Sequence, residues 1–174
     1  MYKNYMPDDR WTKIKEFSQT VETPAIIIDL KKIEDNYNEL KKNFPYADIF
    51  YAVKANPGLP VIKLLARLGS SFDIASIYEL DMVLDLGVSP TRISYGNTIK
   101  KARDIKYAYD KGVRLYATDS INDVEKIAEN APGSDVFFRI LVEGSLTADW
   151  PLSRKFGSQS DLTIDLIKKQ KIWG

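Results

Sequence analysis

The sequence predicts an α/β fold whose strands run parallel in one sheet. Three observations carry this prediction: five short β-type runs recur along the chain, an amphipathic helix pattern fills each interval, and Gly or Pro ends most of those helices. Successive runs are about 23, 21, 21 and 22 residues apart, close to the shortest length that fits a strand, a helix and two tight loops. A strand, helix, strand order favours parallel pairing with right-handed crossovers.

The five predicted strands lie in runs rich in β-branched and aromatic residues, which suit a pleated backbone. These runs are "DIFYAVKA" near 49, "SFDIAS" near 72, "RISYGN" near 93, "RLYATDS" near 114 and "VFFRILV" near 136. In each interval the apolar residues share one helical face, so each helix is expected to bury one side. The faces are Val61, Leu64, Leu65 and Leu68; Leu80, Val83 and Leu84; Ile105 and Ala108; and Val124, Ile127 and Ala128.

Two segments flank this repeat and do not follow its regular spacing. Before it, "TPAIIIDLKKIEDNYNELKKNFP" predicts a short strand over residues 25–29 and then a helix with Ile33, Tyr37 and Leu40 on one side. After it, "EGSLTADWPLSRKFGSQS" predicts a long polar loop, and "DLTIDLIKKQKIWG" predicts a helix with no sixth strand behind it.

One helix after every strand suits either a (β/α) barrel or an open doubly wound sheet, and the pattern alone does not choose between them. A leucine-rich solenoid has a similar period, but its repeated Leu and Asn positions are not found here. The first turn, "KANPGLP", lacks the Gly-x-Gly-x-x-Gly of a dinucleotide site, and the sequence contains no P-loop motif.

The composition of the chain limits the partners and the types of catalysis that we expect. The chain of 174 residues has 25 basic and 24 acidic residues and a formal net charge of +1, so we expect neither nucleic acid nor membrane as a partner. Its amino end shows no secretory pattern, which favours a cytoplasmic protein. The sequence has no Cys and no His, which excludes thiol catalysis, a Ser-His-Asp triad and the usual zinc sites, and no metal site is expected.

The run "DIFYAVKANP" ends in a single amine, Lys54. The carboxyl end of a parallel strand faces the side where ligands bind in barrels and open sheets. A lysine among apolar neighbours loses solvation of its charged form, which favours the neutral, nucleophilic amine that forms a Schiff base with a carbonyl. The alternative is a lysine that extends from the strand end into water or pairs with a loop carboxylate.

Two further charges lie in apolar runs. Asp73 is a carboxylate within "SFDIAS", and Arg139 is a guanidinium within "VFFRILV". Buried charges of opposite sign usually contact each other or a ligand. A plain buried ion pair and a ligand site are therefore both open interpretations.

Five strings, in this order and spacing, resemble the amino-terminal half of the alanine-racemase-fold (fold type III) decarboxylases, which depend on pyridoxal 5'-phosphate (PLP). The strings are "YAVKAN", "FDIAS", "ISYGN", "FFRI" and "LSRKFG", and the resemblance covers about residues 20–174 and is greatest to the ornithine/lysine decarboxylase group. It implies a partial (β/α)8 barrel of about five βα units. The implied division is an extension over 1–23, a β-domain strand and entry helix over 24–45, and an incomplete PLP-binding barrel over 46–174.

The resemblance also implies roles for individual residues. Lys54 matches the lysine that carries PLP, Asp73 matches an acidic residue lining the same pocket, and Arg139 matches an arginine that projects towards the cofactor. Weaker candidates at the pocket edge, for which capping or loop anchoring is an equal explanation, are Ser76, Asn97 and, for substrate or a loop, Arg154.

Departures from the family pattern limit what is expected of these residues alone. The family's stacking histidine, its glycine-rich phosphate loop, its acid at the pyridine nitrogen and a Cys-Asp pair across a homodimer interface have no counterpart in the sequence. The resemblance implies decarboxylation of ornithine or lysine to a diamine, in polyamine biosynthesis, by the full enzyme. The 174 residues by themselves are expected to be an inactive, truncated form.

Two other functions stay open at this stage. One is a non-catalytic, decarboxylase-like protein that binds a partner or a full-length homologue through its barrel half. The other is a small PLP carrier of the single-domain barrel type, which also places its lysine on the first strand but completes eight strands in one chain.

Overall fold

The fold is built on one parallel sheet. The computed structural model describes residues 7–141 and 156–173, and five strands in this part of the chain pair in the order of the sequence. The strands are β1 (Phe50–Ala52), β2 (Ser71–Ile74), β3 (Ile93–Tyr95), β4 (Leu115–Thr118) and β5 (Asp135–Phe138). All four pairings are parallel, as the sequence pattern predicts.

A helix follows each of the first four strands, and three more helices flank the repeat or follow β5. The helices are α1 (Asp8–Ser18), α2 (Leu30–Asn43), α3 (Leu59–Leu68), α4 (Ile77–Asp85), α5 (Ala102–Asp110), α6 (Ile121–Asn130) and α7 (Ser160–Trp173). Side chains that accept a hydrogen bond from the first turn start α2, α4 and α6, namely those of Asp29, Ser76 and Ser120. None of the helices in residues 7–141 and 156–173 is long and apolar enough to cross a membrane.

The strand order decides between the two architectures that the sequence leaves open. A doubly wound sheet reverses its strand order at a switch point, whereas each strand here pairs with the next strand in sequence. Consecutive parallel order with a crossover helix after each strand is the arrangement of a (β/α)8 barrel. The predicted partial barrel of about five βα units is therefore confirmed.

The core lies between the sheet and the helices, and it follows the two-residue alternation of the strands. On β2, Phe72 and Ile74 are fully buried against the helices, and the ring of Phe72 meets that of Tyr51 edge to face at 6.4 Å. Ile93 and Tyr95 on β3 and Tyr116 on β4 lie in the same layer. The residues that alternate with them along each strand point to the opposite face of the sheet.

The amino-terminal segment differs from the prediction. Residues 25–29 form no strand, and Ile26 in this segment is 91% exposed. The predicted strand over residues 25–29 is therefore wrong for this structure, because a strand requires a partner for its backbone groups and no described segment pairs with it.

The first 23 residues, predicted only as an extension, contain α1. Arg10 of this helix lies 3.5 Å from Asp29 and 3.2 Å from Asp35, which ties α1 to the start of α2. The divisions after residues 23 and 45 remain predictions.

Candidate functional site

A cleft of about 580 Å³ lies over the sheet face opposite the helices, towards the carboxyl ends of the strands. Phe50, Leu115 and Phe137 form its apolar floor. Its polar groups come from Lys54, Asp73, Ser94 and Arg139, and Gly96 adds bare backbone. Charged and polar groups over an apolar floor at the ends of parallel strands are typical of a ligand site in this class of fold.

Lys54 follows β1 on a one-turn helix, Val53–Ala55, whose first residue is fully buried. The Asn56 side chain accepts a hydrogen bond from the Gly58 backbone at 2.9 Å, and this bond shapes the loop that follows. The amine lines the cleft, but Lys54 is exposed. The predicted dry, apolar surroundings are therefore wrong here, because the one-turn helix projects beyond the end of the strand.

Asp73 lies in the middle of β2 and points into the cleft between two buried apolar residues. The Ser94 hydroxyl donates a hydrogen bond to its carboxylate at 2.7 Å. Burial raises the pKa of Asp73, and the Ser94 hydrogen bond, Lys54 and Arg139 oppose that rise. The carboxylate is thus partly desolvated and lies between two cationic side chains.

The interpretation of Asp73 and Arg139 as a plain ion pair does not hold in this structure. Asp73 belongs to none of the ion pairs formed between described side chains. Its acceptor groups are directed to Ser94 and the cleft. The alternative interpretation, a ligand between these charges, therefore remains.

Arg139 is the first residue after β5, and its backbone is fixed from both sides. Its N–H donates to the carbonyl of Thr118 at 2.9 Å, and its carbonyl accepts from the N–H of Ser158 at 2.9 Å. The guanidinium lies 4.8 Å from the centre of the Phe156 ring, within cation–π range. The segment that contains Phe156 and Ser158 thus holds Arg139 at the cleft.

Gly96 is a site residue that the sequence reasoning did not single out. A Cβ built at this position would overlap the carboxylate of Asp73, so only glycine leaves room for that group. The Gly96 N–H donates to the carbonyl of Ile74 at 2.9 Å, which fixes the close approach of the two strand ends. The available signal was a glycine directly after a strand, a position that often marks close backbone approach.

The weaker candidates have structural roles. The Ser76 hydroxyl caps α4 by accepting from the Glu79 N–H at 3.3 Å. The Asn97 amide donates to the Ala75 carbonyl at 3.3 Å, and its oxygen accepts from the Ile99 N–H at 3.1 Å. Neither residue lines the cleft, so a cofactor role for them remains a prediction. Arg154 lies outside the described residues.

Comparison with known proteins agrees with this geometry. The chain matches the family model "Pyridoxal-dependent decarboxylase, pyridoxal binding domain" over residues 30–171. It is 37% identical over 166 residues to the lysine/ornithine decarboxylase of Selenomonas ruminantium, covering 95% of this chain and 42% of that protein. It is 39% identical over 153 residues to the ornithine decarboxylase of Saccharomyces cerevisiae, covering 88% and 33%.

Solved structures show the same similarity. The lysine decarboxylase of Selenomonas ruminantium superposes with a TM-score of 0.82 at 35% identity, covering 97% of this chain and 43% of that one. The arginine decarboxylase of Paramecium bursaria Chlorella virus gives 0.77 at 31% identity, covering 83% and 39%.

These matches assign the chain to the fold type III, or alanine-racemase-fold, class of PLP-binding proteins. The chain belongs to the pyridoxal-dependent decarboxylase family, within its pyridoxal-binding domain. The resemblance read from the sequence is therefore confirmed. The chain spans between a third and about two fifths of the length of these curated relatives.

Gly96→Ala is expected to lower the free energy of unfolding by about 1–3 kcal/mol, because the new methyl overlaps the Asp73 carboxylate. Urea unfolding of Gly96→Ala, Asp73→Ala and the double variant measures the coupling. The double variant should recover most of the loss, since the opposing carboxylate is gone. An equal loss with and without Asp73 would contradict the contact.

Asp73→Asn is expected to raise stability at neutral pH by less than about 1 kcal/mol, because the cleft is open to water, which screens the charge. Because the pKa of Asp73 is raised in the folded state, its ionised form destabilises the fold at pH values above the ordinary pKa of about 4. This destabilisation disappears at lower pH, where the carboxyl is protonated. Thermal unfolding from acid to neutral pH should therefore show a gap between variant and wild type that opens as pH rises. Asp48→Asn, at an exposed carboxylate, is the control, and a gap that does not change with pH would contradict the assignment.

Proposed function

We propose that this chain is the cofactor-holding part of a PLP-dependent decarboxylase that converts a basic amino acid, ornithine or lysine, to a diamine. The observation that carries the proposal is the convergence of the Lys54 amine, the Asp73 carboxylate and the Arg139 guanidinium on one cleft at the strand ends. The names of its relatives support a basic amino acid as the substrate, since these relatives include lysine/ornithine and ornithine decarboxylases.

The cleft fits the cofactor in size and in chemistry. Its volume of about 580 Å³ is within the range of roughly 300–1,000 Å³ of small-molecule sites. The exposed Lys54 amine is reachable by an aldehyde, and Arg139 presents a cation to an anionic ligand. Related solved structures of the Selenomonas ruminantium enzyme carry PLP, and one of them also carries cadaverine.

Each charged residue has a distinct role in this proposal. Lys54 would hold the cofactor through Nζ, the amine that can condense with an aldehyde with loss of water. The Asp73 carboxylate, oriented by Ser94 and confined by Gly96, presents negative charge between two cations. Arg139, supported on Phe156, directs positive charge into the cleft. When bound, PLP supplies an electron sink for the bond broken as the carboxylate leaves as CO2.

We also propose a compartment, an oligomeric state and a pathway for the whole protein. The resemblance carries the expectation of a cytoplasmic homodimer of the relatives' length that acts in polyamine biosynthesis. We expect the residues described here to bind the cofactor without turning the substrate over by themselves.

Adding PLP to the chain should produce the visible absorption of a Schiff base, and reduction with borohydride should fix the label on Lys54. Lys54→Ala should abolish both signals, whereas Lys42→Ala, which removes an exposed lysine of α2, should leave them unchanged. Peptide mapping by mass spectrometry locates the label. A label spread over surface lysines, with no loss in Lys54→Ala, would contradict the proposed function.

A second candidate function is supported by one relative with a different name. The chain is 37% identical over 146 residues to antizyme inhibitor 2 of Xenopus laevis, which is not named a decarboxylase. Both outer strands of the sheet also expose apolar side chains, Phe50 on β1 and Phe137 on β5. A decarboxylase-like protein that binds a full-length homologue through this face is consistent with both observations.

If this second function holds, the chain should co-elute with the Selenomonas ruminantium decarboxylase in size-exclusion chromatography and lower its activity. Phe137→Lys should prevent the association, because it places a charge on the exposed apolar face. Lys54→Ala should have no effect on it, which separates association from cofactor chemistry. Separate elution with unchanged decarboxylase activity would exclude this function.

A further inference from the structure

Lys100 is a buried lysine that the cofactor chemistry does not use. Its side chain is 0% exposed, and its ammonium donates to three oxygens: Asp123 Oδ2 at 2.6 Å, the Ala117 carbonyl at 2.6 Å and the Asn97 carbonyl at 2.9 Å. These acceptors belong to three separate elements, namely the first turn of α6, β4 and the loop after β3. The three donors of the ammonium are therefore all used.

Stability is a weak explanation for this arrangement. Burial lowers the pKa of Lys100, so removing its charge from water costs free energy that the Asp123 carboxylate offsets in part. Buried ion pairs are often replaced by apolar residues without loss of stability. What an apolar pair could not supply is the hydrogen bonding to the carbonyls of Asn97 and Ala117.

The loop between β3 and α5 is held at two points by this cluster. Lys100 Nζ binds the carbonyl of Asn97, and Lys126 Nζ donates to the carbonyl of Lys100 itself at 2.5 Å. Lys126 also lies 3.4 Å from the second carboxylate oxygen of Asp123. The Lys100 end of the short segment 97–100 is thus bonded to α6 directly, and the Asn97 end is joined to α6 through the Lys100 ammonium.

This segment borders the cleft through Gly96. The Gly96 N–H donates to the carbonyl of Ile74, and the carboxylate of Asp73 fills the space that a Cβ at Gly96 would occupy. Since Asn97 follows directly, a shift of its peptide carries Gly96 towards or away from Asp73. The buried ammonium is therefore connected to the Asp73 carboxylate in the cleft through the backbone of Asn97 and Gly96.

We propose that Lys100 is a positioning residue for the cofactor site, because its buried ammonium binds the Asn97 carbonyl, fixes the backbone next to Gly96 and so positions the Asp73 carboxylate. The proposal rests on the proposed function, since it assumes that the cleft binds PLP. It assigns Lys100 no contact with the cofactor. It predicts that cofactor affinity and global stability respond differently when the ion pair is replaced.

The experiment compares PLP affinity and thermal stability in three variants. Lys100→Met alone should lower both, because it leaves Asp123 buried without its main partner. Lys100→Met/Asp123→Leu should recover the stability but bind PLP about tenfold more weakly than wild type. Lys106→Met/Asp110→Leu, which removes an exposed ion pair from α5, should change PLP affinity less than about twofold.

A pH titration adds a readout that a purely structural role would not move. In the double variant the pH midpoint of the bound cofactor's visible absorption should shift in the direction seen with Asp73→Asn, since the same carboxylate is displaced. An unchanged midpoint together with wild-type PLP affinity in the stable double variant would overturn the proposal.

A second variant keeps the test decisive if the double variant does not fold. Asp123→Asn retains the ammonium and its two carbonyl contacts, so it should bind PLP within about threefold of wild type even where stability falls. A loss of affinity as large as in Lys100→Met would overturn the positioning role. A wild-type chain that fails to bind PLP overturns the proposed function itself, which distinguishes the two failures.

Discussion

The two-residue alternation of a parallel strand is the constraint on which the rest of this structure depends. Successive side chains must point to opposite faces, so Phe72 and Ile74 can enter the core only if Asp73 points away from it. A register shift of one residue would place the carboxylate among the helices and two large apolar groups in the cleft. The hydrophobic packing therefore also fixes the face of the sheet on which the charge lies.

Neighbouring residues then determine the position of the Asp73 carboxylate within the cleft. Ser94 lies on the same face of the next strand, one hydrogen bond from Asp73, and Gly96 removes the side chain that would collide with it. Lys54 and Arg139 come from the outer strands of the sheet and reach the same cleft from its two sides. The result is a carboxylate whose pKa is raised by burial even though two cations and a hydroxyl favour its ionised form. Such opposing influences are characteristic of sites that bind charged ligands.

The fold was predictable from the sequence wherever the information is local. Periodicity of 3.6 and 2 residues located the helices and strands, and the strings around Lys54, Asp73 and Arg139 identified residues that do line one cleft. The strand over residues 25–29 was wrong because a β-type run says nothing about whether a partner is present. The dry surroundings of Lys54 were wrong for a related reason, since exposure depends on what covers a strand end. The contact of Lys100 with Asp123 joins positions 23 residues apart in different elements, and no local pattern encodes it.

The consecutive strand order has a consequence for how the chain acquires its structure. Among the described residues, each strand bonds to its neighbours in sequence, and the paired residues are 20 or 21 positions apart, so no late strand has to insert between earlier ones. Contacts of such short range carry a small loop-closure entropy and favour rapid assembly. During synthesis on the ribosome, each emerging βα unit can dock onto the finished edge of its predecessor, in the same order in which the message is translated.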